Sequence, residues 1–223
     1  MAGFDRTALG QVLAQGVAEL GLDLSSAQQE QLLDYLALLN KWNHVYNLTS
    51  VRDPMQMMTL HLLDSLAAVP AFAGAMNVLD VGAGGGLPGI VLAVARPDMK
   101  VSMIDTVHKK TAFLTQVKVE LGLANVTVYT KKVQELAVKE PFDVITSRAF
   151  ADLSDFVEWS HHLLAEHGKF IALKGTAPQD ERERLPGDWK VGDLQALRVP
   201  GLDAERHLVF VERGRAVNNQ QTV

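Results

Sequence analysis

The chain has 223 residues, 48% of them hydrophobic and 21% charged, enough for one substantial globular core with an accessory element. It contains no Cys, which excludes disulfides, thiol catalysis and cysteine-ligated metal centres, and its seven His fall in no metal-ligand spacing, so no metal is expected. A formal net charge of −5 argues mildly against nucleic acid yet permits a local basic face; with no apolar run near the ~20 residues of a membrane span and no secretory pattern, a cytoplasmic protein is expected.

Residues 1–76 read as an N-terminal helical lobe. Phe4, Leu9, Val12, Leu13, Val17 and Leu20 recur at helical spacing, and Gly21 closes that segment. Ser26 with Gln29 suits a capping box for a second helix, whose apolar stripe is Leu32, Leu36, Leu39, Trp42 and Tyr46. After the loop Asn47 to Arg52, Asp53 and Pro54 suit the cap and first position of a third helix, which carries His61 and Asp64 and stops by Pro70. Helices this short should form a lobe packed on a later sheet, with Asn47, His61 and Asp64 covering its mouth or, the preferred reading, buttressing it.

Strands and helices then alternate. Asn77 to Val81 reads as a strand, followed by a glycine turn and apolar Ile90 to Ala95. Lys100 to Asp105 reads as a second strand, Val107 to Leu121 as a helix closed by Gly122, and Val126 to Thr130 as a third strand. Asp143 to Ser147 is predicted as a fourth strand, Leu153 to Leu164 as a helix ending near Gly168, and Lys169 to Lys174 as a fifth strand. Lys190 to Val199 and His207 to Glu212 suit an antiparallel pair at an edge. The order predicts an α/β fold: a doubly wound, mostly parallel sheet over residues 77–212, with a polar, disordered tail over 213–223.

The organising stretch is Asn77 to Gly89. Gly82, Gly84, Gly85, Gly86 and Gly89 let the chain turn sharply and lie against a ligand without a Cβ in the way. A GxGxxG match at Gly84, Gly86 and Gly89 begins two residues late for a dinucleotide fingerprint; read from Gly82 the spacing is GxGxG, the form associated with S-adenosylmethionine enzymes. In such a sheet the ligand lies beyond the carboxyl ends of the strands where the winding reverses. That rule gathers Asp105, the Lys131 to Glu135 region and Arg148 around the turn, with Asp105 suited to ribose hydroxyls or to capping the next helix. Lys109, Lys110, Lys118, Lys131, Lys132, Arg148 and Lys174 are candidates for a basic face, about half of which would be ordinary surface charge.

Six blocks carry a further signal: LNKWNHVYNLTSVRD (39–53), HLLDSL (61–66), LDVGAGGGLPGIVLA (79–93), FLTQVKVELGL (113–123), SRAFADL (147–153) and ALKG (172–175). In this order, and over nearly the whole length, the chain resembles the RsmG (GidB) family of bacterial small-subunit ribosomal RNA guanine-N7 methyltransferases. The resemblance implies an S-adenosylmethionine-dependent enzyme of Rossmann-like class I type, with cofactor contacts at Gly82, Leu87, Val133, Gln134 and Arg148, to which the glycine turn and the strand-end rule add Gly84 and Asp105. It implies methylation of one guanine in the decoding-region loop of 16S rRNA, within the small subunit or an assembly precursor, by a protein expected to act as a monomer. RNA contacts would fall to Lys109, Lys110, Lys131, Lys132 and Lys174. The sequence departs from the family where Gln134 replaces a usual Glu, where Leu60 replaces a frequent Arg, and where TVHKK follows Asp105.

Because guanine N7 offers its lone pair without losing a proton, no general base is needed, and no catalytic residue is assigned. The competing readings are a methyltransferase of this fold with a small-molecule or protein acceptor, a dinucleotide-dependent oxidoreductase, and a noncatalytic ribosome-assembly factor.

Overall fold

The computed structural model describes residues 3–148, 150, 152–176 and 185–214. Helix α1 (Arg6–Glu19) is capped by the Asp5 carboxylate, which accepts a hydrogen bond from Ala8 N at 3.0 Å. Helix α2 (Ser26–Tyr46) opens on a capping box one residue earlier than predicted, formed by Ser25 and Gln28 rather than Ser26 and Gln29. Packing selects that register: Gln28 Oε1 accepts from Ser25 N at 2.9 Å while its Nε2 donates to Val94 O at 2.8 Å, tying the cap to the helix that follows the glycine turn.

Asp53 caps the third helical segment through Gln56 N, and Pro54 takes the first position. The segment is not the uniform α-helix that the periodicity predicts. It runs as α3 (Pro54–Met57), a π-helical stretch Met58–Leu63, α4 (Asp64–Ala68) and a 3₁₀ turn Val69–Phe72. The wide turn carries buried His61 and leads directly into buried Asp64, in keeping with the tendency of π segments to occur where side chains serve a site.

Among the described residues the sheet has seven strands, in the order β3-β2-β1-β4-β5-β7-β6. They are β1 (Asn77–Val81), β2 (Lys100–Asp105), β3 (Val126–Thr130), β4 (Phe142–Ser147), β5 (Leu164–Lys174), β6 (Trp189–Ala196) and β7 (His207–Arg213). β1 to β5 are parallel, and β7 lies antiparallel between β5 and the edge strand β6. The winding reverses at β1, which pairs with β2 on one side and β4 on the other; Val81 stands opposite Ile104, and Asp105 opposite Thr130, so the carboxyl ends of three strands are level. This is the doubly wound sheet expected.

Among the described residues three helices complete the alternation: α5 (Gly89–Ala95), α6 (His108–Glu120) and α7 (Leu153–Ser160). The α7–β5 boundary differs most from the sequence reading. The helix ends at Ser160, whose hydroxyl donates to Phe156 O at 2.5 Å, and β5 starts at Leu164. Gly168 therefore lies within a strand, where a Cβ would stand 2.8 Å from Leu164 Cγ and 3.0 Å from Asp143 O; it permits close strand approach rather than ending a helix. Arg213 is the last residue of β7, so regular structure extends past residue 212, and residues 215–223 lie outside the described set.

One buried cluster joins Leu9, Leu13, Leu32 and Leu36 of the lobe with Ile90, Val91, Phe113 and Leu114 on one face of the sheet. A second, on the opposite face, packs Phe156 and Val157 of α7 against Ile145 and Phe170. Among the described residues no helix is long and apolar enough to cross a membrane.

Candidate cofactor and nucleic-acid site

The turn after β1 is held from three directions. Gly82 N and Ala83 N donate to Ile104 O at 2.9 and 3.1 Å, joining the turn to β2. Gly82, Gly84 and Gly86 have φ of 69°, 56° and 92°, in the left-handed region that glycine occupies without strain. Gly84 N donates at 3.1 Å to Asp105 Oδ2, Val107 N at 2.9 Å to Asp105 Oδ1, and Lys110 Nζ lies 3.4 Å from Oδ2. Asp105 thus braces the turn and the start of α6, although Val107 rather than Asp105 occupies the cap position. From the lobe, the fully buried Tyr35 hydroxyl donates to Gly85 O at 2.6 Å; burial pushes its phenol well above the usual range, so it remains a donor.

Beneath the turn lies Asp80, fully buried. Its Oδ2 accepts from Gly89 N at 2.9 Å, while Oδ1 has no hydrogen-bond partner among the described residues. Burial pushes this carboxyl up to about 7, against weaker opposing pulls from Gly89 N–H and Arg148.

In front of the turn opens a cavity of about 580 Å³ lined by Gly82, Asp105, Val107, Lys110, Lys131, Lys132, Val133, Gln134, Phe150 and Trp159, among others. It lies beyond the carboxyl ends of β1, β2 and β3, and its volume falls in the range of small-ligand sites. Gly82, Asp105, Val133 and Gln134 meet on its wall, with Lys131 and Lys132 exposed at the rim. Gly84 stands behind it through Asp105. Leu87 is buried within the turn and is not on the lining, and Lys109 projects from α6 into solvent.

Arg148 and Lys174 line a second cavity, of about 280 Å³, together with Leu60, Asp64, Arg206 and His207. Arg148 Nη1 donates to Leu60 O at 3.1 Å and to Asp64 Oδ2 at 3.3 Å, and Arg206 Nε donates to Asp64 Oδ1 at 2.8 Å. One lobe carboxylate is therefore clasped by two guanidinium groups from the sheet, a strongly directional arrangement. His61 Nε2 lies 2.8 Å from Thr49 Oγ1, and burial, then the Arg148 charge, lowers its imidazole to about 4, so it is neutral. Asn47, with φ 51°, caps α2 and is bonded by Arg52 Nη2.

Sequence reasoning missed Tyr35, Phe150, Trp159 and Arg206. A Tyr inside the stripe between Leu32 and Leu36 was the available signal, because a buried phenol needs a partner. Arg206 gave none, since its partner lies 142 residues away. Among the described residues no cluster of His, Asp and Glu forms a metal site.

A reversing parallel sheet, a glycine turn braced by an acid closing β2 and a cavity over the strand ends together define a Rossmann-like class I methyltransferase. A solved structure with this fold, a putative O-methyltransferase from Klebsiella pneumoniae, superposes with a TM-score of 0.55 at 15% identity, over 81% of this chain and 90% of that one. The family described as GidB, rRNA small subunit methyltransferase G, matches residues 28–209, and the chain belongs to this family. Proteins called ribosomal RNA small subunit methyltransferase G from Janthinobacterium sp. (strain Marseille) and Herminiimonas arsenicoxydans are each 66% identical to it, covering 96% of this chain and 99% and 100% of theirs.

Proposed function

We propose that the protein transfers a methyl group from S-adenosylmethionine to N7 of one guanine in the decoding-region loop of 16S rRNA, in the cytoplasm and as a monomer. Residues 1–76 serve as a lobe buttressing the catalytic sheet of residues 77–212. The observation that carries the reading is the meeting of Gly82, Asp105, Val133 and Gln134 on one cavity rimmed by Lys110, Lys131 and Lys132.

The residues fit an adenosine-bearing cofactor. Gly82 keeps the wall free of side chains, and Asp105, already accepting two backbone N–H bonds, retains lone-pair capacity for ribose hydroxyls. Val133 and Gln134 would border the adenine, with Gln134 offering an amide where the family commonly has a carboxylate. Arg148 is assigned to the cofactor's carboxylate; its guanidinium carries five N–H donors, and Nη1 serves Leu60 and Asp64. Leu87 contributes through the shape of the turn.

Bound S-adenosylmethionine would supply an electrophilic methyl on a sulfonium; the free lone pair of guanine N7 would take it as the sulfur–methyl bond breaks and S-adenosylhomocysteine leaves, so no residue of the chain needs to remove a proton. The chain's task is orientation and exclusion of water. Alignment of this kind contributes roughly 7 to 11 kcal/mol in well-oriented systems. A-form RNA hides N7 in a deep, narrow groove, so the acceptor must be an unpaired or splayed base turned toward the mouth of the sheet. Lys109, Lys110, Lys131, Lys132 and Lys174 would meet the phosphates around it.

The test is to incubate the protein with labelled S-adenosylmethionine and separated ribosomal subunits lacking the modification. Label in the 16S rRNA of the small subunit is expected. Transfer to protein or to a small molecule instead, or heat on titration with a nicotinamide dinucleotide but not with S-adenosylmethionine, would contradict the reading.

A further inference from the structure

We propose that Trp159 is a cofactor-binding residue: its indole forms the wall against which the purine ring of the methyl donor stacks. The inference rests on the reading that the cavity before Gly82 takes S-adenosylmethionine, and it adds a contact that neither the glycine turn nor the strand-end rule supplies.

Trp159 lies in the last turn of α7 and lines the cavity with Val107, Val133, Gln134 and Phe150. It is 38% exposed, while Phe156 one turn earlier is fully buried, so α7 buries one aromatic as core and presents the next to the cavity. A large amphipathic ring left open on a concave wall is suited to a flat apolar partner. Among the described residues, Phe150 and Trp159 are the only aromatic side chains on that lining.

The ring is also held in place. Phe150 meets Trp159 edge-on at 5.6 Å between centroids and Phe156 at 5.2 Å; Phe156 meets Phe170 at 5.1 Å, and Phe170 meets Trp189 at 5.1 Å. This aromatic chain runs from the cavity wall through α7 and β5 to Trp189 on the edge strand β6. The T-shaped contact with Phe150 fixes the indole while 38% of the residue stays exposed, and a preorganised ring costs little ordering on binding. The polar end of a bound nucleoside would face the other way, toward Asp105. A ligand with a sugar at Asp105 and a planar base beyond it would lay that base along Val107 and Val133 against the indole.

The experiment uses the full chain, with S-adenosylhomocysteine and adenosine as probes. Replacing both other tryptophans (Trp42→Phe with Trp189→Phe) leaves Trp159 as the sole indole reporter. Its fluorescence should change on titration with either ligand, and the wild-type response should vanish in Trp159→Phe. By calorimetry Trp159→Ala should bind S-adenosylhomocysteine and adenosine about 10- to 100-fold more weakly, by the same factor for both, as stacking on one base gives. Trp159→Phe should recover most of the affinity, with thermal melts confirming that both variants fold. Wild-type binding with unchanged affinity in Trp159→Ala and a silent reporter would overturn this inference and leave the cofactor site standing. A raised KM for the RNA acceptor with unaltered S-adenosylhomocysteine affinity would give the indole to the acceptor base and likewise overturn it. Absence of binding by the wild type would instead remove the cofactor reading itself.

Discussion

Asp105→Asn probes the bracing of the glycine turn with a change of two atoms' chemistry and almost none of shape. The wild-type carboxylate places Oδ2 on Gly84 N–H and Lys110 Nζ, and Oδ1 on Val107 N–H. An amide cannot satisfy both sides. With its NH₂ toward Gly84 it faces a backbone donor and an ammonium; turned over, it faces the Val107 donor. Either way one hydrogen bond to a charged acceptor becomes a donor–donor opposition at a carboxylate only 7% exposed, a loss of about 1.5 to 3 kcal/mol. The Lys110 contact, at 3.4 Å on a side chain 31% exposed, adds less than about 1 kcal/mol. Since a chain of this length loses roughly 2 to 4 °C of Tm per kcal/mol, melting should fall by about 3 to 12 °C. S-adenosylmethionine affinity, measured by calorimetry below that melting point, should drop about 10- to 100-fold, because binding must then also order the loosened turn. Lys110→Met, which removes only the ammonium, should stay within about threefold of wild type. An Asp105→Asn protein with wild-type affinity and melting would refute the assignment of Asp105 as the brace.

Gly89→Ala should lower stability by about 1 to 3 kcal/mol with a weaker cofactor site, because the added Cβ would stand 2.7 Å from Met103 Sδ and 2.8 Å from Asp80 Oδ2; an unchanged melting curve would show that α5 shifts freely. Lys131→Glu with Lys132→Glu should weaken RNA binding and reduce the slope of log affinity against log salt by roughly 1 to 2, and a wild-type slope would take these residues off the RNA face. The pH dependence of folding should divide between two buried groups. Asp80, raised to about 7, favours folding at low pH and loses that contribution as pH rises from its ordinary value toward 7; His61, lowered to about 4, favours folding above its ordinary value and loses that contribution as pH falls toward 4. The two oppose each other between about pH 4 and 6.5, so across that interval His61→Gln should become less stable with rising pH and Asp80→Asn more stable, by denaturant midpoints. Slopes of the same sign in both variants would contradict the assignment.

Strands β1, β2 and β3 were legible to the residue because each is a short β-prone run bounded by a Gly, Asp or turn signal. The α7–β5 boundary was not: Phe156 to Leu164 carries apolar residues that suit a helix or a buried strand equally, and only the pairing of Leu164 with Phe142 decides between them. The π-helical stretch Met58–Leu63 left no mark on a periodicity that tolerates one extra residue per turn. In the site, Gly82, Asp105, Val133 and Gln134 could be gathered from sequence because the winding rule fixes where strand ends meet. The Asp64 clasp and the Trp159 wall could not, since each depends on side chains that only packing of the lobe or of α7 brings into contact.

The most direct test of the proposed reaction is to map the methyl group. Small-subunit rRNA methylated by the purified protein would be cleaved chemically at 7-methylguanine and the break located on 16S rRNA. A single break at one guanine of the decoding-region loop is predicted. Label incorporated without such a break, or a break elsewhere, would contradict the assignment of acceptor atom and position while leaving the family and the fold untouched.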